Sequence, residues 1–130
     1  DGAVVLAADM VVALGRRALP KAEDEATARA CLALLSGRRH KVHGGITAIG
    51  PDGAARHRLI TTAVAFKRLT DAEIERYIAS GDWHGKAGGY GIQGRAAAFV
   101  RLVNGSYSNV VGLDLFAAEG LLESFGIVAR

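Results

Sequence analysis

Cysteine and long apolar runs are scarce in this chain. Cys31 is the single cysteine among 130 residues, which excludes an intramolecular disulfide and a cysteine-based metal site. A reducing compartment suits such a chain, and we expect it in the cytoplasm. No apolar run reaches the roughly 18 residues that a transmembrane helix needs. We therefore expect no membrane partner.

Aromatic residues are also few, at 6% of the chain, and they do not alternate with its basic residues. Proteins that bind single-stranded nucleic acid stack bases on aromatic side chains within a basic groove. The formal charge is only +3, from sixteen lysines and arginines against thirteen aspartates and glutamates. This balance suits an anionic ligand, but we expect no nucleic-acid partner.

Several motifs that would identify an enzyme directly are missing. The chain has neither GxxxxGK[ST] nor a GxGxxG that follows a strand, the two common nucleotide-binding patterns. Its serines lack a GxSxG setting. Its four histidines match no zinc-binding spacing such as HExxH.

Glycine, in contrast, is concentrated in one segment, Gly81 to Gly94, where it supplies six of fourteen residues. Glycine allows backbone N–H groups to approach a bound anion closely. Within this glycine-rich loop, Lys86 offers a positive charge to a phosphate, and Gln93 offers a donor and an acceptor to the edge of a base. The residues alone leave two equal alternatives, a binding loop and a mobile surface loop.

The alternation of predicted helices and strands favours one domain over residues 1–130, of α/β or α+β class with a mixed sheet. We expect the α/β class, with the mixed sheet flanked by helices. The run Val4 to Ala8 predicts a strand buried on both faces, which can continue to Leu14. The other predicted strands are 41–49, 59–66 and 96–103, and the predicted helices are 24–35, 70–79 and 115–125. Gly50 to Gly53 predicts a hairpin turn, and Thr70 with Glu73 predicts a capping box.

Two further residues are candidates for chemistry. Asp9 ends the first apolar run, and open α/β sheets place ligand-handling groups at strand ends. A carboxylate there can act as a general base or help to hold a divalent cation, or it can simply mark the end of the strand. Lys21, in a predicted loop, can contact a phosphate or remain solvated.

Five sequence blocks, taken in order, resemble the Maf family. They are Leu6-Ala-Ala-Asp-Met-Val-Val12, Leu19-Pro-Lys21, Leu34-Leu-Ser-Gly-Arg-Arg-His40, Lys86-Ala-Gly-Gly-Tyr-Gly-Ile-Gln-Gly94 and Gly105-Ser-Tyr-Ser-Asn-Val-Val-Gly-Leu113. The resemblance covers essentially the whole chain, and the KAGxYxIQG block is specific by itself.

The resemblance implies a nucleoside triphosphate pyrophosphatase. Such an enzyme cleaves a nucleotide between the α and β phosphates, gives the monophosphate and pyrophosphate, and uses a divalent cation, Mg²⁺ or Mn²⁺. The implied fold resembles that of the inosine triphosphate pyrophosphatases, an elongated mixed sheet with a nucleotide cleft between two lobes. A homodimer is compatible with the family.

The resemblance also implies roles for individual residues. Asp9 matches the family's proton acceptor and is our candidate metal ligand, while Lys21 and Lys86 match lysines that face the triphosphate. Gln93 matches a base-selecting position and resembles the branch that acts on dTTP and UTP. Met10 stands where that branch usually has threonine, which leaves the preferred base open and keeps modified nucleotides as candidates.

One block of the family has no match in this chain. Members begin with a strand, a Ser-x-Ser-Pro-Arg-Arg loop and a helix, so this chain resembles a member that lacks its N-terminal part. Two alternatives to the enzyme therefore stay open. One is a non-catalytic module that binds nucleotides or regulates cell division, and the other is an inactive fragment.

Overall fold

The computed structural model describes residues 3–127. Its elements, in chain order, are β1 (Val5–Leu14), β2 (Arg17–Leu19), α1 (Glu25–Leu35), β3 (Arg39–Ile49), β4 (Ala55–Phe66), α2 (Asp71–Ser80), a 3-10 helix (Arg95–Phe99), β5 (Val100–Asn104), α3 (Tyr107–Val111) and α4 (Leu115–Ser124). Among these described residues, no helix has both the length and the apolarity to span a bilayer.

The strands form one sheet in the order β2-β1-β3-β4-β5. The α/β class expected from the sequence is confirmed. Within residues 3–127, however, every pair of neighbouring strands is antiparallel, whereas the sequence predicts a mixed sheet. The reason for two of the pairs is local: short turns join β1 to β2 and β3 to β4, and such turns can connect only antiparallel neighbours.

The sequence-predicted turn and the predicted capping box of α2 are confirmed. The β3–β4 turn closes through a bond from Gly50 N–H to the Ala54 carbonyl (2.8 Å). Helix α1 begins after Asp24, whose carboxylate accepts the Thr27 N–H (2.7 Å). Helix α2 has the complete capping box, in which Thr70 and Glu73 each accept the other's backbone N–H.

The helices cover one side of the sheet. Strand residues that join the two hydrophobic clusters all come from that side, among them Val12, Val42 and Val64. On the other side Val5 is 58% exposed and Leu59 is 72% exposed. The prediction that the first strand is buried on both faces is therefore wrong, because no helix of the described residues packs against its second face.

Three short elements differ from the sequence prediction. Residues 96–99 belong to a 3-10 helix and not to a strand, which begins only at Val100. The alanine run before Val100 lacks the β-branched residues that favour strands. Strand β2 and helix α3 have three and five residues, too few to give a readable period.

Candidate functional site

A surface cavity of about 300 Å³ lies between β1, α3 and the glycine-rich loop. Nine loop residues line it, together with Met10 of β1 and with Val110 and Val111 of α3. Three of the five predicted site residues, Met10, Lys86 and Gln93, are thus brought together. Their convergence supports the loop's interpretation as a binding loop.

The loop keeps its place because two glycines pack closely. A Cβ on Gly88 would stand 2.9 Å from a methyl group of Val12, and the positive φ of 69° at Gly88 also disfavours other residues. At Gly91 the Lys86 side chain passes 3.4 Å from the position of a Cβ. The lysine therefore lies along the loop that also carries Gln93.

Lys21 is held next to Lys86 by backbone pairing. Lys21 forms an isolated antiparallel bridge with Ala87. Ala22 N–H donates to the Lys86 carbonyl (3.0 Å), and Gly88 N–H donates to the Pro20 carbonyl (2.9 Å). The backbones of the two predicted phosphate-contacting lysines are therefore adjacent, although 64 residues separate them in the sequence. Lys86 lines the cavity, whereas Lys21 lies outside its lining.

Asp9 lies beside the cavity and is absent from its lining. Successive residues of a strand point to opposite faces, and Met10 is the one that faces the cavity. The Asp9 carboxylate accepts the Met10 N–H at 2.9 Å. The N–H groups of a strand lie in the plane of the sheet, and β3 pairs with one edge of β1 along most of its length. The bond to Met10 therefore places the Asp9 carboxylate at the opposite edge of β1. Strand β2 pairs with that edge only from Val12 to Leu14.

Two buried tyrosines hold the loop from behind. Tyr77 accepts the Gly91 N–H with its hydroxyl (3.1 Å), and burial raises the pKa of Tyr77 to about 12. The Tyr90 hydroxyl shares a 2.6 Å hydrogen bond with Nε2 of His40, which is 1% exposed. Burial lowers the pKa of His40 to about 4 and raises that of Tyr90. Both partners are therefore neutral near pH 7, and the pair is a rigid support.

The structure adds Asp82, a residue that the sequence analysis missed. Asp82 lines the cavity, and its Oδ2 accepts the Arg95 N–H (3.1 Å). A Cβ on Gly94 would come within 2.5 Å of that oxygen. Gly94 has an ordinary φ of −95°, so its lack of a side chain reflects this close approach. The sequence gives little signal for this contact, because Gly94 is one of six glycines in the loop.

The described residues do not assemble a protein-only metal site. Residues 3–127 contain no group of three or more histidine, cysteine, aspartate or glutamate side chains placed to hold an ion. Asp9 remains the one predicted ligand.

Comparison with known proteins agrees with the five sequence blocks. A dTTP/UTP pyrophosphatase of Paramagnetospirillum magneticum is 66% identical over 125 residues, covering 96% of this chain and 66% of that protein. Those of Granulibacter bethesdensis and Novosphingobium aromaticivorans are 62% and 58% identical over 122 and 129 residues, covering 94% and 99% of this chain. The chain spans 57% and 64% of the length of these two relatives. The family model described as "Maf-like protein" matches residues 1–125, and the chain belongs to this family.

Proposed function

We propose that this protein hydrolyses dTTP and UTP to the corresponding monophosphate and pyrophosphate. The observation that carries the proposal is the cavity that unites Lys86 and Gln93 beside Asp9. It is supported by the family and by relatives at 58% to 66% identity that are named dTTP/UTP pyrophosphatases.

In this proposal the nucleotide base occupies the cavity near Gln93 and Met10. The Gln93 amide supplies one donor and one acceptor, which suits the carbonyl and N–H groups of a pyrimidine edge. Met10 gives an apolar contact without the hydroxyl of a threonine. Because that hydroxyl is absent, modified nucleotides belong in the substrate panel beside dTTP and UTP.

Lys21 and Lys86 bind the triphosphate. Both side chains are exposed, and the bridge at Ala87 keeps the two backbone segments that carry them adjacent. Two ammonium groups at this position offset the negative charge that develops on the departing pyrophosphate.

Asp9 acts as the general base. Its Oδ1 is engaged with the Met10 N–H, which orients the carboxylate and leaves Oδ2 for a water molecule. As the water oxygen bonds to the α phosphorus, its proton passes to Asp9 and the bond from the α phosphorus to the bridging oxygen breaks. Pyrophosphate leaves with the electron pair of that bond.

A divalent cation fits this donor set through the substrate. Mg²⁺ is usually held by one or two carboxylates together with substrate phosphates and water, so Asp9 and the triphosphate are sufficient ligands. The ion, Mg²⁺ or Mn²⁺, supplies charge neutralisation at the phosphates when bound.

The proposal also covers the compartment, the partners and the oligomeric state of the protein. We place the protein in the cytoplasm, where its nucleotide substrates are found, without a nucleic-acid or membrane partner. We expect a homodimer, which light scattering in solution measures.

The test is pyrophosphate release from dTTP, UTP, CTP and a modified guanosine triphosphate, with Mg²⁺ or Mn²⁺, by the protein as its gene encodes it. We expect Asp9→Asn to lower kcat by roughly 10²- to 10⁴-fold, the usual contribution of a general base, while nucleotide binding persists. The control is Asp52→Asn in the β3–β4 turn, where Asp52 accepts the Ala54 N–H (3.0 Å).

Two results would contradict the proposal. A wild-type protein that binds dTTP but releases no pyrophosphate indicates the non-catalytic nucleotide-binding module. An Asp9→Asn variant with unchanged turnover removes Asp9 from the reaction.

A further inference from the structure

We propose that Asp82 determines base specificity by accepting the N3–H of a thymine or uracil ring. The inference rests on the proposed function, since it assigns a role within the same cavity. It concerns a carboxylate that the family resemblance does not place in the site.

Asp82 is positioned by the end of α2 and by the far end of the glycine-rich loop. It follows Gly81, the residue that terminates α2 with a positive φ of 75°, and its own N–H donates to Ser80 Oγ (3.2 Å). Its carboxylate lies against Gly94, immediately after Gln93 in the chain. Asp82 and Gln93 thus belong to one wall of the cavity.

One carboxylate oxygen of Asp82 is available to a ligand. Oδ2 accepts the Arg95 N–H, but within residues 3–127 Oδ1 makes no hydrogen bond, and Asp82 joins none of the four ion pairs. Asp82 is half-buried. A partly desolvated acceptor at a cavity wall favours a ligand that brings a hydrogen-bond donor.

Charge decides which part of a nucleotide meets Asp82. A carboxylate repels phosphate oxygens, so the triphosphate lies toward Lys86 and the base or the sugar lies toward Asp82. A carboxylate only accepts hydrogen bonds, whereas the Gln93 amide can donate. Together they match an edge that presents an N–H beside a carbonyl.

Thymine and uracil present that edge, because N3 carries a hydrogen between two carbonyl groups. Cytosine presents an unprotonated N3, whose lone pair would face the carboxylate. A site built to bond a ring N–H discriminates strongly against an analogue that lacks it, because its own polar group is then left unpaired. Because thymine and cytosine are both pyrimidines, a comparison of dTTP with dCTP tests this hydrogen bond without a change in the size of the ring.

The decisive variant is Asp82→Asn. Asparagine retains an oxygen for the Arg95 N–H and nearly the same volume, but it replaces one acceptor with a donor that can meet N3 of cytosine. We expect the ratio of kcat/KM for dTTP over dCTP to fall by at least about tenfold, mainly through KM. Asp52→Asn, also an exchange at a backbone-bonded carboxylate, should leave this ratio unchanged.

A sugar hydroxyl is the alternative donor to Asp82. If it were the donor, Asp82→Asn would change the ratio of dTTP to its 3′-deoxy analogue ddTTP and leave the ratio of dTTP to dCTP as it was. That outcome, or unchanged values of both ratios, overturns the inference.

Wild-type protein provides an independent measurement. N3-methylated dTTP lacks the proposed donor, so we expect it to bind at least about tenfold more weakly than dTTP in calorimetry. Equal binding would overturn the inference even if Asp82→Asn does not fold. This measurement needs binding and no turnover. If the protein released no pyrophosphate, the proposed function would be refuted, but the binding comparison would still test the hydrogen bond between Asp82 and the base.

Discussion

Mild acid should destabilise this protein through the buried ring of His40. The ring is 1% exposed, its Nδ1 has no hydrogen-bond partner within residues 3–127, and burial lowers its pKa from 6.5 to about 4. The unfolded chain therefore takes up this proton at a higher pH than the folded chain does, so stability falls as the pH drops below about 6.5. With each pKa unit equivalent to about 1.4 kcal/mol, we expect a loss of about 2 kcal/mol between roughly pH 6.5 and 4.5.

This pH window separates His40 from the carboxylates. The Lys67 ammonium lowers the pKa of Glu73 from 4.5 to about 2, and hydrogen bonds lower the pKa values of Asp24 and Glu75. A carboxylate with a lowered pKa gives stability that is complete above its unfolded pKa and lost below it. Those losses therefore begin near pH 4.5, at the lower limit of the window.

The assay is urea unfolding at a series of pH values, followed by the fluorescence of Trp83. This single tryptophan is buried at 8% exposure, and its Nε1 donates to the Ile78 carbonyl (2.8 Å). His40→Gln has no titrating ring and should lose little stability across the window, while His57→Gln, at an exposed position, should behave like the wild type. Parallel losses in wild type and His40→Gln would refute the reasoning.

Two further variants test the fold. Gly44→Ala should cost about 2 to 3 kcal/mol of unfolding free energy in urea, because its Cβ would stand 1.9 Å from Oδ1 of Asn109, whose amide is fixed by three hydrogen bonds. Gly45→Ala is the matched control, with nothing within 4 Å of its Cβ, and equal costs for the two exchanges would contradict the packing. Thr70→Ala should cost about 1 kcal/mol through loss of the capping box, and an unchanged urea midpoint would contradict that role.

The sequence predicts well those elements that are determined by interactions between residues close together in the chain, namely the helix starts and the hairpin turn. The starts of α1 and α2 follow from the side chains of Asp24 and Thr70, which satisfy free N–H groups of the first turn. The β3–β4 hairpin follows from its turn residues. In each case the interaction that fixes the backbone is close in sequence, so no tertiary contact had to be known.

Long-range placement could not be predicted in the same way. Apolar residues at Val4 to Ala8 indicate a strand but do not show which of its faces a helix will cover. Strand alternation places Asp9 and Met10 on opposite faces, but the sequence does not show that Asp9 lies at an open edge, since that depends on which neighbours pair with β1. Asp82 was missed because its place in the cavity wall depends on packing against Gly94, 12 residues later in the chain.

The backbone hydrogen bonds between Pro20–Ala22 and Gly85–Gly88 fix the spacing of two segments that are distant in the sequence. Three backbone hydrogen bonds fix the spacing of Lys21 and Lys86, so insertions between residues 23 and 84 can lengthen surface loops without altering that spacing. Lys86 and Gln93, in contrast, lie only seven positions apart in the sequence, so one short loop sets the distance between them. Under the proposed function, side-chain exchanges within this short interval would therefore change the preferred base, while the spacing of the two lysines that we assign to the triphosphate would stay constant.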